Sequence, residues 1–114
     1  DQSFTVCGPL KSITRKTAGG ANENALKLEV KGVTGQEGRY ATHFPLKKDV
    51  TVTYGGDTKF YDASGSSWKN PKNVTSREVA DMTANDVMSV FHGSITGGAS
   101  KRLVTTVHTN VSCP

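Results

Sequence analysis

Long apolar runs are missing from this sequence. Its hydrophobic stretches reach only about three residues, whereas a membrane-crossing helix needs about 20 and a signal-peptide core 7–15. Aromatic residues make up 7% and hydrophobic residues 34% of the 114 positions, so the core of a single domain spanning 1–114 is modest. Cysteine occurs twice and never as Cys–x–x–Cys, which argues against a dithiol redox motif or a cysteine-based zinc site. The phosphate-loop and dinucleotide glycine patterns are absent. So are the Gly–x–Ser–x–Gly nucleophile elbow, Ser–x–x–Lys and every His-pair metal spacing on a single element. The net charge of +4 (pI ≈ 9.2) comes from ones and twos such as Arg15–Lys16, Lys47–Lys48 and Lys101–Arg102, not from a dense basic run. Such scatter reads first as solvated surface lysines, and second as attraction to an anionic partner.

The two cysteines, Cys7 and Cys113, stand near opposite ends. A bond between them closes nearly the whole chain into one loop. In the chain-entropy model a loop of roughly 100 residues gains about 4.7 kcal/mol. An even cysteine count with few aromatics suits an oxidising compartment, so the expectation is a secreted, periplasmic or extracellular domain without a membrane span. The sequence opens on Asp1 rather than Met, which reads as a mature or trimmed product.

Ser and Thr fill 24 positions and Gly 12, a strand-and-turn composition. Period-two alternation runs through Phe4–Val6, Leu26/Leu28/Val30 and Val50/Val52/Tyr54, in outline through Val87–Ile95, and through Leu103/Thr105/Val107/Thr109/Val111. Glycine-bearing turns punctuate these runs: Thr17–Gly20, Gly32–Gly38, Gly55–Asp57, Asp62–Ser67 and Thr96–Gly98. The Gly97–Gly98 pair predicts a closing hairpin. Thr75–Ser76–Arg77–Glu78 fits a capping box and predicts one short helix over about Ser76–Met82. Several strands, one helix and a final hairpin predict an all-β fold. The form expected is a small OB-like (oligonucleotide/oligosaccharide-binding) Greek-key barrel of five to six strands with one short helix, closed by the terminal disulfide. A β-sandwich is the alternative.

Several segments together carry a family resemblance: Val50–Phe60, Val79–Val87, Val90–Ile95 and Leu103–His108, more loosely joined by Val6–Cys7–Gly8 and Leu26–Val30. They resemble a family of small bacterial exported domains with no assigned function. That resemblance implies an OB-like barrel and brings no known activity. Asn85–Asp86 stands where the family usually has Gly–Asp.

The candidate binding residues are Tyr54, Tyr61 and Trp68 with Lys59, Lys69 and Lys72 interleaved. Exposed rings beside cations can stack on bases or sugars in OB domains. His92 and His108 are expected on adjacent strands of the last hairpin. With no third ligand evident they define no metal site, and no cofactor is implied. Asp57 and Asp62 read as turn formers rather than a catalytic carboxylate pair. The sequons at Asn73 and Asn110 are possible glycan acceptors.

Three function classes follow. The first is a non-catalytic secreted or cell-surface module, a structural subunit or adhesion domain. It would contact itself or other surface proteins through edge strands at Phe4–Val6 or the final strand. The second is a binding domain for a glycan, an anionic ligand or single-stranded nucleic acid. The third is a small hydrolase, for which no residue set selects a reaction.

Overall fold

The computed structural model describes residues 2–15, 24–34, 43–62, 67–69, 86–96 and 101–113. Among the described residues, seven strands run in chain order: β1 (Gln2–Thr14), β2 (Ala25–Glu29), β3 (Gly32–Thr34), β4 (Asp49–Asp62), β5 (Ser67–Lys69), β6 (Met88–Thr96) and β7 (Lys101–Thr109). The short helix expected over Ser76–Met82 lies outside the described residues.

The ladders close on themselves. β2 pairs β1, β1 pairs β6, β6 pairs β7, β7 pairs β4, and β4 returns to β2. All of these pairings are antiparallel except β4–β7. Counting β2, β4, β6 and β7 as the second to fifth staves, the order is 1-2-3-5-4-1 with the third and fifth parallel. This is an OB-like barrel, and its closure removes the sandwich alternative. β3 adds to β1 and β5 adds to β4. Thr96 pairs with Lys101, so β6 and β7 form the expected hairpin.

The alternation read from sequence places the core. Leu26, Leu28, Val50, Val52, Phe91, Val104 and Val107 are buried inside the ring. Residues 43–48 then close one end. Phe44 is buried with its ring 4.8 Å from Phe4, and the Arg102 guanidinium lies 5.7 Å from the Phe44 centroid.

Two expectations are corrected. Gly55–Gly56–Asp57 is not a turn between strands. β4 continues through it, pairing with β7 at Tyr54↔Val104 before it and at Lys59↔Thr106 after it. Four residues, Gly55–Thr58, thus stand opposite the single residue Thr105, forming an enlarged β-bulge. The second correction concerns β7. The face Leu103/Thr105/Val107/Thr109 does not exist as one face, because the ladder to β6 slips between His92↔Thr106 and Gly93↔Val104. Thr105 is the extra residue. Val104, Val107 and Thr109 therefore point inward, and Leu103 is turned out. Gly93 is required there, since a Cβ would overlap the Leu103 carbonyl and the Phe4 ring.

The disulfide is present, with Cys7 and Cys113 Cα atoms 5.6 Å apart. Asn110, in a left-handed conformation (φ 59°), turns the chain out of β7. Val111 N–H then donates to the Met88 carbonyl, and Cys113 Sγ lies 3.7 Å from Met88 Sδ. The bond thereby pins the tail across β6 onto β1. Among the described residues, no helix is long and apolar enough to cross a membrane.

Candidate functional site

The barrel exterior carries one row of rings. In register across neighbouring strands, Tyr61 of β4 faces His108 of β7. One step along, Thr106 of β7, His92 of β6 and Thr5 of β1 align. The Tyr61 and His108 rings stack with centroids 5.0 Å apart and planes 12° from parallel. His92 meets His108 edge to face at 5.7 Å, and His92 Nδ1 is 3.2 Å from Thr5 Oγ1. Burial holds the His92 imidazole below its ordinary pKa, and electrostatic coupling to the neighbouring His108 pushes it the same way. The two histidines thus lie on adjacent strands, as expected. Among the described residues no group of three or more metal-type side chains gathers around them.

The other candidates are only partly brought together. Tyr54 is buried, not part of an exposed platform. It shares the inward parity of Val50 and Val52, packs edge-on to Phe60 at 5.6 Å, and donates its hydroxyl to the Thr14 carbonyl at 3.0 Å. Burial raises its phenol pKa. Lys59 is exposed on the outer side of β4, two residues from Tyr61. β5 places Trp68 opposite Tyr61 and Lys69 opposite Phe60 in the ladder. Lys72 and Asn73 lie outside the described residues. Asn110 Nδ2, the atom a glycan would modify, donates to Asp62 Oδ1 at 2.8 Å.

This arrangement differs from a flat stacking platform. One face of Tyr61 covers one face of His108, and His92 adds a third ring to the same contact, so the row offers ring edges and hydroxyls along a polar strip. The face over the second and third staves, which OB domains generally use, carries Ala25, Lys27 and Glu29 from β2 beside Asp49, Thr51 and Thr53 from β4. It presents no ring among these residues.

A second feature was not singled out from the sequence. The β4 bulge and the start of β7 enclose a recess of about 140 Å³, lined by Gly55–Thr58 and Leu103–Thr105, with a mainly apolar wall. Thr58 is buried and holds the recess in shape. Its hydroxyl donates to the Val104 carbonyl at 2.6 Å and accepts from Gly55 N–H at 3.0 Å. Asp57 is exposed beside it, and Leu103 is 39% exposed. Doubled glycine inside an alternating strand was the available signal for such a bulge.

Of the edges named for partner contact, Phe4–Val6 and the final strand, the pairing occupies both flanks of Thr5–Val6 and of β7, whereas Phe4 has a ladder partner only in β6 among the described residues. β7 is flanked by β6 and β4 along its length. Thr5 and Val6 pair with β3 on one side and β6 on the other. Neither can accept a further strand there without losing one it has.

No protein-family model, no curated protein and no solved structure matches the chain.

Proposed function

We propose that the chain is a non-catalytic exported module that works through its surface, as a subunit of a cell-surface assembly or an adhesion domain. The observation that carries this reading is the rigid presentation of apolar side chains outside a barrel whose staves are already paired. Leu46 is 61% exposed on the turn that closes the barrel end, and Leu103 borders the recess on its side. The disulfide tying both ends supports export to an oxidising compartment. The resemblance to small exported bacterial domains points the same way. At β7 and the Thr5–Val6 segment, where both flanks are occupied, contact runs through side-chain surfaces rather than an added strand. The test is the native mass of the oxidised chain by light scattering over a wide concentration range. Mass rising with concentration supports the assembly role, and a constant monomer mass removes it and leaves adhesion.

The ring row favours a second reading, recognition of a glycan or a single-stranded nucleic acid by Tyr61, Lys59 and β5 around Trp68. Its test is titration with a neutral oligosaccharide, an acidic oligosaccharide and an oligonucleotide, read through the His92 and His108 ring resonances. Unmoved resonances with all three dismiss it, and binding that falls steeply with salt selects the nucleic acid.

A further inference from the structure

From the turn at Leu46 and the recess at Gly55–Thr58, we infer that copies of this chain bind one another head to tail, with Leu46 of one copy seated in the recess of the next. The inference rests on the assembly reading above and names its surfaces.

The inserting element is built for presentation. Phe44 is buried as the plug of the barrel end, which fixes the turn from one side. On the other side Lys47 N–H donates to the Val30 carbonyl at 2.8 Å, and Val30 N–H donates to the Lys48 carbonyl at 3.0 Å. Between these anchors Lys47 takes a left-handed backbone conformation (φ 65°) that a lysine rarely adopts. The result is a stiff turn whose apex holds Leu46 in solvent, with Lys47 and Lys48 exposed beside it. Strain of this kind persists only where the surroundings impose it, and it concentrates at sites that bind.

The receiving element is also built. The recess has an apolar wall and a volume of about 140 Å³. An apolar cavity near 150 Å³ is known to hold a benzene-sized group, so a leucine side chain is within its range. Its floor is locked by the two Thr58 hydrogen bonds, so it exists before anything enters it. Preformed surfaces on both sides lower the ordering cost of association.

Charge matches as well. Asp57 is exposed at the recess, and the inserting turn brings two lysines. An acceptor with a carboxylate beside an apolar hole suits a leucine flanked by cations. In a chain of net charge +4, the acid beside the recess also offsets repulsion between copies.

In its own chain Leu46 is not among the residues that line the recess and stays 61% exposed. The six steps from Asp49 to Gly55 extend about 20 Å along β4 from the turn. Two different patches therefore meet, which is a heterologous contact, and it propagates into a ring or a filament. One leucine in one recess is a small interface, so a single contact is weak and transient. An array on a surface gains from many such contacts.

The experiment is amide NMR of the oxidised chain diluted from about 1 mM to about 50 μM, a range suited to weak association. Resonances of 46–48, 55–58 and 103–105 are expected to move together. Two variants test the two surfaces independently. Leu46→Ser removes the inserting group at an exposed position. Gly55→Val adds a branched side chain at a residue lining the recess, where an added Cβ meets nothing within 4 Å. Each is expected to weaken association about tenfold or more, as loss of a central anchor does. An equal mixture of the two variants restores a single productive contact. Shifts then return at 46–48 in the Gly55→Val chain and at 55–58 in the Leu46→Ser chain.

Wild-type resonances that do not move on dilution overturn both this contact and the assembly reading. Association that maps to other residues, or that survives both variants, overturns this contact and leaves the assembly reading standing.

Discussion

Thr58 Oγ1 donates to the Val104 carbonyl at 2.6 Å, joining β4 to β7 at the point where their ladder loses register. The same hydroxyl accepts from Gly55 N–H, so one buried side chain closes a four-residue bulge in the only parallel pairing of the barrel ring. Removing it strands a donor and an acceptor together. Thr58→Val, which keeps the shape, is expected to cost about 1–3 kcal/mol. Thr58→Ser should restore most of it. Chemical denaturation checks both, and a Thr58→Val chain as stable as wild type would show that the bulge holds without the hydroxyl.

Gly55 and Gly93 both lie at bulges, yet they should respond oppositely. A Cβ on Gly55 meets nothing within 4 Å, whereas one on Gly93 overlaps the Leu103 carbonyl and the Phe4 ring. Gly55→Ala is expected to change the melting temperature by no more than a few degrees. Gly93→Ala must push β6 from β7 or displace the core, and should lower it by far more or prevent folding. Equal effects of the two substitutions would contradict the close approach at Gly93.

The disulfide pins a tail that folds back over β6. Reduction, or Cys113→Ser, is expected to destabilise the fold by about 2–5 kcal/mol. Denaturant midpoints of oxidised and reduced chain measure this directly. Coincident midpoints would mean that the covalent link contributes nothing to stability.

Acid should weaken the fold through His92. Its folded pKa lies below its ordinary value, first because it is partly buried and then through its electrostatic coupling to His108. The unfolded chain therefore binds the proton more readily than the folded one. His92 leaves stability intact above the ordinary histidine value of about 6.5, and stability declines as pH falls below it toward the folded value. The magnitude is small because the ring is only half-buried. His92→Gln should flatten this part of the stability–pH curve, and an unchanged slope in that variant would assign the decline to other groups.

Much of the fold was legible from local pattern. The alternation in Leu26–Val30 and Val50–Tyr54 marks the strands and their inward faces, and it also carried the answer for Tyr54, which shares the parity of Val50 and Val52 and follows them into the core. What the pattern could not carry was non-local. Gly55–Gly56–Asp57 looks like a turn until β7 is seen pairing on both sides of it. The β7 faces swap because of a slip against β6, and a one-residue shift sends every following side chain to the opposite face. The exposure of Leu46 is set non-locally for a similar reason. Nothing in Phe44–Pro45–Leu46 says which apolar side chain enters the barrel, and that is decided by Phe4 and Arg102, which come from distant parts of the chain. The ring row was partly legible, since hairpin pairing brings His92 near His108. Tyr61 joins them only through the parallel β4–β7 ladder.

The most direct test of a surface-acting assembly module is the weight-average mass of the intact, oxidised chain by light scattering from low to high concentration. The expected result is a mass that climbs from the 12.1 kDa of one chain with concentration and falls back on dilution. A mass that stays at one chain up to about 1 mM, where even weak contacts register, would contradict it.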